Sequence, residues 1–213
     1  MLRDIPHSLS PAVSDGETTK RGTLVCLSHL RWNFVFQRPQ HLMVRFVRNY
    51  HVLYWEEPIL AEDGDATVRL VTDPSGVVVA TPLLPKTLPE ERRDEVLRGL
   101  LNRTLAGKPA PMVRWFYTPM MLPVAQHPSA AVTVYDCMDE LSAFRDPPPG
   151  LRANEERLFR RADVVFTGGQ SLYDAKKHQH RVEREMTRHR RLQRSADRFP
   201  ICVGDRNATA RRE

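Results

Sequence analysis

The sequence predicts an α/β fold built on an open, doubly wound parallel sheet, and three observations carry that prediction. The stretch from Thr23 to Pro58 reads as strand, loop, helix, strand, a crossover unit whose two strands run parallel. Short apolar runs then keep alternating with helical patterns as far as about residue 178. The first of those runs, Thr23 to Leu27, is apolar without alternation, as a strand buried on both faces requires.

Within the first unit, Pro39 stands where an opening helical turn needs no N–H. Leu42, Met43, Phe46 and Val47 share one helical face, with Arg45 and Arg48 off it, and His51 to Trp55 is the second strand. Thr67 to Thr72 and Val77 to Thr81 are strand-like runs split by Asp73-Pro74-Ser75-Gly76, a hairpin at a sheet edge or an excursion from it. Thr87-Leu88-Pro89-Glu90 matches a capping box, and Val96, Leu97, Leu100, Leu101 and Leu105 give the next helix an apolar face. Asp94 and Arg98 are spaced to pair on its outside. Strands follow at Met112 to Tyr117 and Ala130 to Tyr135. The stiff connector Asp146 to Gly150 leads into a helix that turns Leu151, Leu158, Phe159 and Ala162 inward and leaves Glu156 and Arg160 as an exposed pair. Asp163 to Thr167 is the last strand, and Gly168-Gly169 opens a helix through about His178. No internal repeat is visible.

Composition narrows the class. Of the 213 residues 41% are hydrophobic, enough for a sizeable core, while 27% are charged and the mean hydropathy is −0.47, which reads as soluble. No apolar run approaches the roughly 18 residues of a membrane span. Residues 1–21 lack an apolar signal core and read as a polar, disordered lead-in. Cys26, Cys137 and Cys202 are odd in number and far apart, so buried thiols in a reducing cytoplasm are expected rather than disulfides. The net charge of +6 resides mostly beyond residue 180. That tail holds ten arginines, no lysine and five acidic residues, leaving 22 of the 32 Lys+Arg and 21 of the 26 Asp+Glu for the body. The high pI is therefore poor support for a specific nucleic-acid partner.

Ligands of doubly wound sheets bind outside the carboxyl ends of the strands. The loop placed there, His29 to Arg38, is aromatic and cationic, and it is the first candidate for function. Arg38 adds a charge to the positive end of a helix dipole, which suits a phosphate or carboxylate; an exposed arginine is the alternative. Trp32 and Phe34 can stack on a sugar ring, with core packing of the loop tip as the alternative and the preferred one for Phe34. His41, in the first helical turn, either touches ligand or caps and packs. Asp136, Asp139 and Glu140 follow a strand at its carboxyl end. Asp136 is also placed to cap the next turn, so Asp139 is the less locally explained. Gly168-Gly169 permits close backbone approach or makes a plain turn. A dinucleotide site is disfavoured because no glycine follows the first strand, and no G-x-S-x-G elbow is present. His178 and His180 lack a convergent third ligand, and no metal site is expected.

The segments SHLRWNFVFQRPQHL, YDCMDELSAF and ADVVFTGGQSLYDAKKH resemble the N-terminal domain of bacterial GT-B glycosyltransferases, more narrowly the family-1-like group associated with cell-surface polysaccharides. The resemblance covers residues 22–180. It implies one of two Rossmann-like domains with the active site between them, this one shaping the acceptor site and the other binding the nucleotide-sugar. It implies transfer of a sugar from a nucleotide-diphosphate donor to a cell-envelope glycan or lipid-linked acceptor. No further cofactor is implied. Asp139 is then the expected base for the acceptor hydroxyl, with Asp136 the second choice, and Trp32, Arg38, His41 and Glu140 are expected to line the acceptor side. Residues 181–213 match nothing in that family and have weak periodicity. They read as a disordered, basic tail, explained by a frameshift or truncation after about His180 or by a native basic extension. The expected location is cytoplasmic, with a peripheral contact to the inner face of the membrane. The chain alone is expected to be inactive. A non-catalytic binding module or degenerate remnant on the same fold is the alternative function.

Overall fold

The structure is a computed structural model that describes residues 20, 22–62, 64–125, 129–180 and 201–203. The expected lead-in and most of the expected tail therefore lie outside the described residues. The strands are β1 (Thr23–Leu27), β2 (His51–Trp55), β3 (Ile59–Ala61), β4 (Thr67–Thr72), β5 (Val78–Pro85), β6 (Pro111–Phe116), β7 (Val132–Cys137), β8 (Val164–Thr167) and β9 (Ile201–Val203). The helices are α1 (Arg38–Phe46), α2 (Glu90–Leu105), α3 (Leu122–Ala125), α4 (Leu151–Arg161) and α5 (Gln170–Lys176).

One sheet runs in the order β3-β5-β2-β1-β6-β7-β8-β9, with β4 paired antiparallel to β5. Strands β5, β2, β1, β6, β7 and β8 are mutually parallel neighbours. The chain winds outward from β1 through β2 to β5, returns to the centre, and winds outward again from β6 through β7 to β8. The fold is thus a doubly wound, Rossmann-like α/β sheet whose topological switch point lies between β1 and β6. β1 shows the logic in five residues: Val25 and Leu27 join the core packed by α2, α3 and α4, while Leu24 and Cys26 join the core packed by α1. The unalternating apolar run needs both layers.

The hairpin closes through Gly76, whose φ of 87° suits a residue without Cβ, but β5 is longer than expected and pairs parallel with β2. The capping box of α2 does not form. Pro89 occupies the N-cap and no side chain caps the helix, because its extended ψ of 140° brings Glu90 in as the first helical residue. Arg98 turns from Asp94 to donate to the Pro123 carbonyl at 3.1 Å, tying α2 to α3. Glu156 and Arg160 do pair on the outside of α4, at 3.8 Å. Cys26 and Cys137 are buried free thiols. Ile201–Val203, inside the stretch expected to be disordered, pairs antiparallel with β8. It is a β-branched, apolar run meeting the open edge of a strand. Among the described residues no helix is long and apolar enough to cross a membrane.

Candidate active site at the switch point

The carboxyl ends of β1, β6, β7 and β8 open on one crevice, and the loop after β1 is its most elaborate wall. Glu56, buried at the end of β2, holds that loop. Its carboxylate accepts the Trp32 backbone N–H at 2.8 Å, the Thr81 hydroxyl at 2.7 Å and the Arg31 guanidinium at 3.2 Å. Gln40 on α1 donates to the Trp32 carbonyl at 3.0 Å and accepts the Gln37 N–H at 3.0 Å, while the Tyr54 hydroxyl donates to the Leu30 carbonyl at 3.0 Å. These bonds satisfy backbone groups at the base of the loop, which allows them to be buried there.

The two aromatic residues exchange their expected places. Trp32 is buried, edge-on to Tyr54 at 4.9 Å, and its indole N–H donates to Asp73 at 2.9 Å. Phe34, expected in the core, is 77% exposed. The exchange has a polar cause: the indole N–H finds a carboxylate where it is buried, whereas a phenyl ring satisfies nothing there.

Arg38 is the first residue of α1, and the anion that meets it is Asp136, with Nη2 2.9 Å from Oδ1. Asp136 lies within β7 rather than after it and is fully buried. Burial pushes its carboxyl up to about 6, against the opposing pull of Arg38, Tyr117 and Trp115. The Tyr117 hydroxyl and the Trp115 indole act on the same carboxylate without closing hydrogen-bond geometry. A base has to reach the proton that it takes. Asp136 therefore belongs to the layer beneath the crevice, as the counter-charge of Arg38 and of the positive helix end.

Asp139, by contrast, is exposed. It borders a cleft of about 450 Å³ with Met138, Glu140, Gly168, Gly169 and Ser171. Across the switch point stands His29, the second residue after β1, half-buried and in contact with the Tyr117 backbone. Burial lowers the affinity of the His29 imidazole for a proton, while the Asp139 carboxylate and the Tyr117 backbone raise it again. A neutral histidine facing a carboxylate is an arrangement able to accept a proton and stabilise the resulting cation. His29 was passed over in the sequence because a strand-exit histidine has no local signature; its place as the first polar ring after the first strand is the one available clue.

Glu140 lines the same cleft, but its carboxylate is already engaged. Its carboxylate takes the Lys176 ammonium at 2.8 Å and the Ser142 hydroxyl at 2.6 Å. Partial burial pushes its carboxyl up, but Lys176 and Ser142 outweigh that and hold it low. Lys176 also meets buried Glu155 at 2.8 Å, which accepts the Tyr135 hydroxyl at 2.8 Å. Gly168 fixes the same loop from the other side: a Cβ there would stand 2.0 Å from the Met138 carbonyl oxygen, so the close approach requires glycine. Gly169 has open space around it. His41 is exposed on α1, edge-on to Phe36 at 4.5 Å. The structure thus brings the exposed Asp139 carboxylate within electrostatic range of His29 at the strand exits, engages the Glu140 carboxylate with Lys176 on the cleft's lining, and places Trp32 and Asp136 in the supporting framework.

No protein-family model matches the chain, and comparison with curated proteins gives no match. Among solved structures, the chain is similar to a trehalose-6-phosphate structure from E. coli bound with UDP-2-fluoro glucose (TM-score 0.42, 11% identity, 68% of this chain and 39% of that one). It is similar to sucrose-phosphate synthase from Thermosynechococcus elongatus (TM-score 0.44, 12% identity, 68% and 42%). It is also similar to α,α-trehalose 6-phosphate synthase from Burkholderia multivorans (TM-score 0.44, 9% identity, 69% and 39%). The chain thus spans 39–42% of the length of these structures.

Proposed function

We propose that this chain is the acceptor-side domain of a GT-B glycosyltransferase of the cell-surface polysaccharide group. It would work with a second domain that binds a nucleotide-diphosphate-sugar, and the acceptor would be a cell-envelope glycan or a lipid-linked glycan. The observation that carries this reading is the exposed Asp139 carboxylate at the exit of β7, close enough to His29 at the exit of β1 to act on its charge. In the transfer step the acceptor oxygen bonds to the sugar's anomeric carbon, the bond from that carbon to the diphosphate oxygen breaks, and the hydroxyl proton passes to the His29–Asp139 pair. The nucleoside diphosphate leaves with the bonding electrons. Groups that stabilise its charge belong to the second domain in this reading, so the 213-residue chain by itself should turn over no nucleotide-sugar above background.

The decisive experiment joins the chain to its second domain and assays transfer. Asp139→Asn and His29→Ala should each lower kcat by about 10²–10⁴-fold with donor affinity unchanged, since a lost base affects the transition state rather than ground-state binding. Full turnover by both variants would refute the assignment.

A further inference from the structure

The tip of the loop after β1 does something that its base does not. Phe34, Val35 and Phe36 are 77%, 49% and 59% exposed, three consecutive apolar residues on a surface that otherwise has no use for them. The hydrogen-bonded base keeps the tip projecting outward instead of collapsing onto the core. A groove of about 520 Å³ lies beside the tip, walled by Phe34, Phe36, Val44 and the turn at Asp73 and Ser75.

The tip's own stretch of chain carries charge of one sign, and Asp73, the carboxylate beside the groove, is occupied by the Trp32 indole and by Ser75. From residue 28 to residue 55 the chain holds four arginines and no aspartate or glutamate. Arg31 and Arg38 are committed to Glu56 and Asp136. Arg45 and Arg48 are exposed, and among the described residues neither forms an ion pair with a carboxylate. His41 and Arg45 lie one turn apart on the exposed side of α1, Arg48 follows in the turn that ends the helix, and Phe36 packs on His41, so tip and cations are continuous.

We infer that residues 33–36 together with His41, Arg45 and Arg48 form a docking surface for an anionic phospholipid bilayer. Aromatic rings seat at the headgroup boundary, and arginines beside them meet headgroup phosphates through two parallel N–H donors. A neutral protein partner would cover the rings and leave the cations unused; an anionic bilayer satisfies both. The inference rests on the lipid-linked-acceptor part of the proposed function only for its purpose, since it would bring the crevice to an acceptor held in the same membrane. Vesicle binding is read without any sugar transfer, so each reading fails by itself.

The test is co-sedimentation of the 213-residue chain with phosphatidylcholine vesicles, with and without phosphatidylglycerol. Binding should require phosphatidylglycerol and weaken as salt is raised. The arginine-rich segment beyond residue 180 is present in every variant and cancels in the comparison. Phe34→Ser with Phe36→Ser should weaken binding by at least about tenfold. Arg45→Ala and Arg48→Ala should weaken it about fivefold each. Leu70→Ser, on exposed β4, should leave it unchanged. Circular dichroism should show all of these variants folded, since the substituted side chains are exposed. Failure to bind phosphatidylglycerol vesicles, or wild-type binding by the double phenylalanine variant, would overturn the inference. So would a dimer in sedimentation velocity that the double variant abolishes, because a second copy would then cover the patch.

Discussion

Arg38 and Lys176 each set a nearly buried cation beneath one wall of the crevice, but their carboxylates are served very differently. Lys176 has two carboxylate partners at 2.8 Å, and those partners are satisfied in turn by Tyr135 and Ser142. Burial works against the Lys176 charge, yet Glu140 and Glu155 hold its ammonium above the usual lysine value. Asp136 has Arg38 at 2.9 Å, and desolvation still wins there. The completed network around Lys176 makes a rigid floor for the Asp139 loop. The Arg38–Asp136 pair spends stability to hold a charge at the helix end, a tension common where a fold supports chemistry.

The largest effect that would break this contrast lies on the Lys176 side. Lys176→Met strands Glu155 in the core and should cost about 3–5 kcal/mol in urea unfolding at neutral pH. Adding Glu155→Gln should restore part of that loss. A loss below about 1 kcal/mol would put the two networks on equal footing.

The next effect sharpens the contrast through pH. Asp136 titrates near 6 in the folded chain against an ordinary value of 3.8. Because the folded value is the higher one, the stabilising contribution is complete below about pH 4 and is lost as pH rises through 6. The loss amounts to about 3 kcal/mol. Glu140 runs the other way: its folded value is depressed, so its contribution is present above 4.5 and is lost as pH falls through the lowered value. Lys176, with its value raised, contributes below 10.5 and loses that contribution in alkali. Unfolding free energies between pH 4 and 7 should therefore fall in the wild type, and Asp136→Asn should remove that fall.

Local pattern reached the elements whose causes are local. The bounds of β1 and β2 were legible because each is an uninterrupted apolar run ended by polar residues. The sequence pattern sets strand β7 two residues early, at Ala130 to Tyr135 rather than Val132–Cys137, since a carboxylate looks like a strand exit unless a cation from another element covers it, and Arg38 lies 98 positions away. The same blindness hid Glu56 and Lys176. Their partners are 21 to 36 residues distant, and no spacing rule joins them. Asp139 was legible because nothing local explained it. His29 was not, because only the sheet's winding brings the β1 exit beside the β7 exit.

The smallest effect concerns Trp32, where the two readings of one ring separate cleanly. Trp32→Phe keeps most of the buried aromatic volume and the contact with Tyr54 but removes the donor to Asp73. Asp73 retains its bonds from the Ser75 N–H and hydroxyl, so the loss should be about 1 kcal/mol. Burial pushes the Asp73 carboxyl up, yet Ser75 and Trp32 together hold it below its usual value; losing the indole should let it rise. The depressed value stabilises the fold above an ordinary aspartate pKa and ceases to do so as pH falls through it, so the difference between variant and wild type should shrink in acid. Unfolding at pH 7 and pH 3 measures this directly. A framework tryptophan loses stability in that pH-dependent way, and Phe then supports acceptor binding nearly as well. An acceptor-stacking tryptophan would instead leave stability and its pH dependence unchanged and weaken acceptor binding alone. The buried ring and its 2.9 Å bond to Asp73 favour the first outcome.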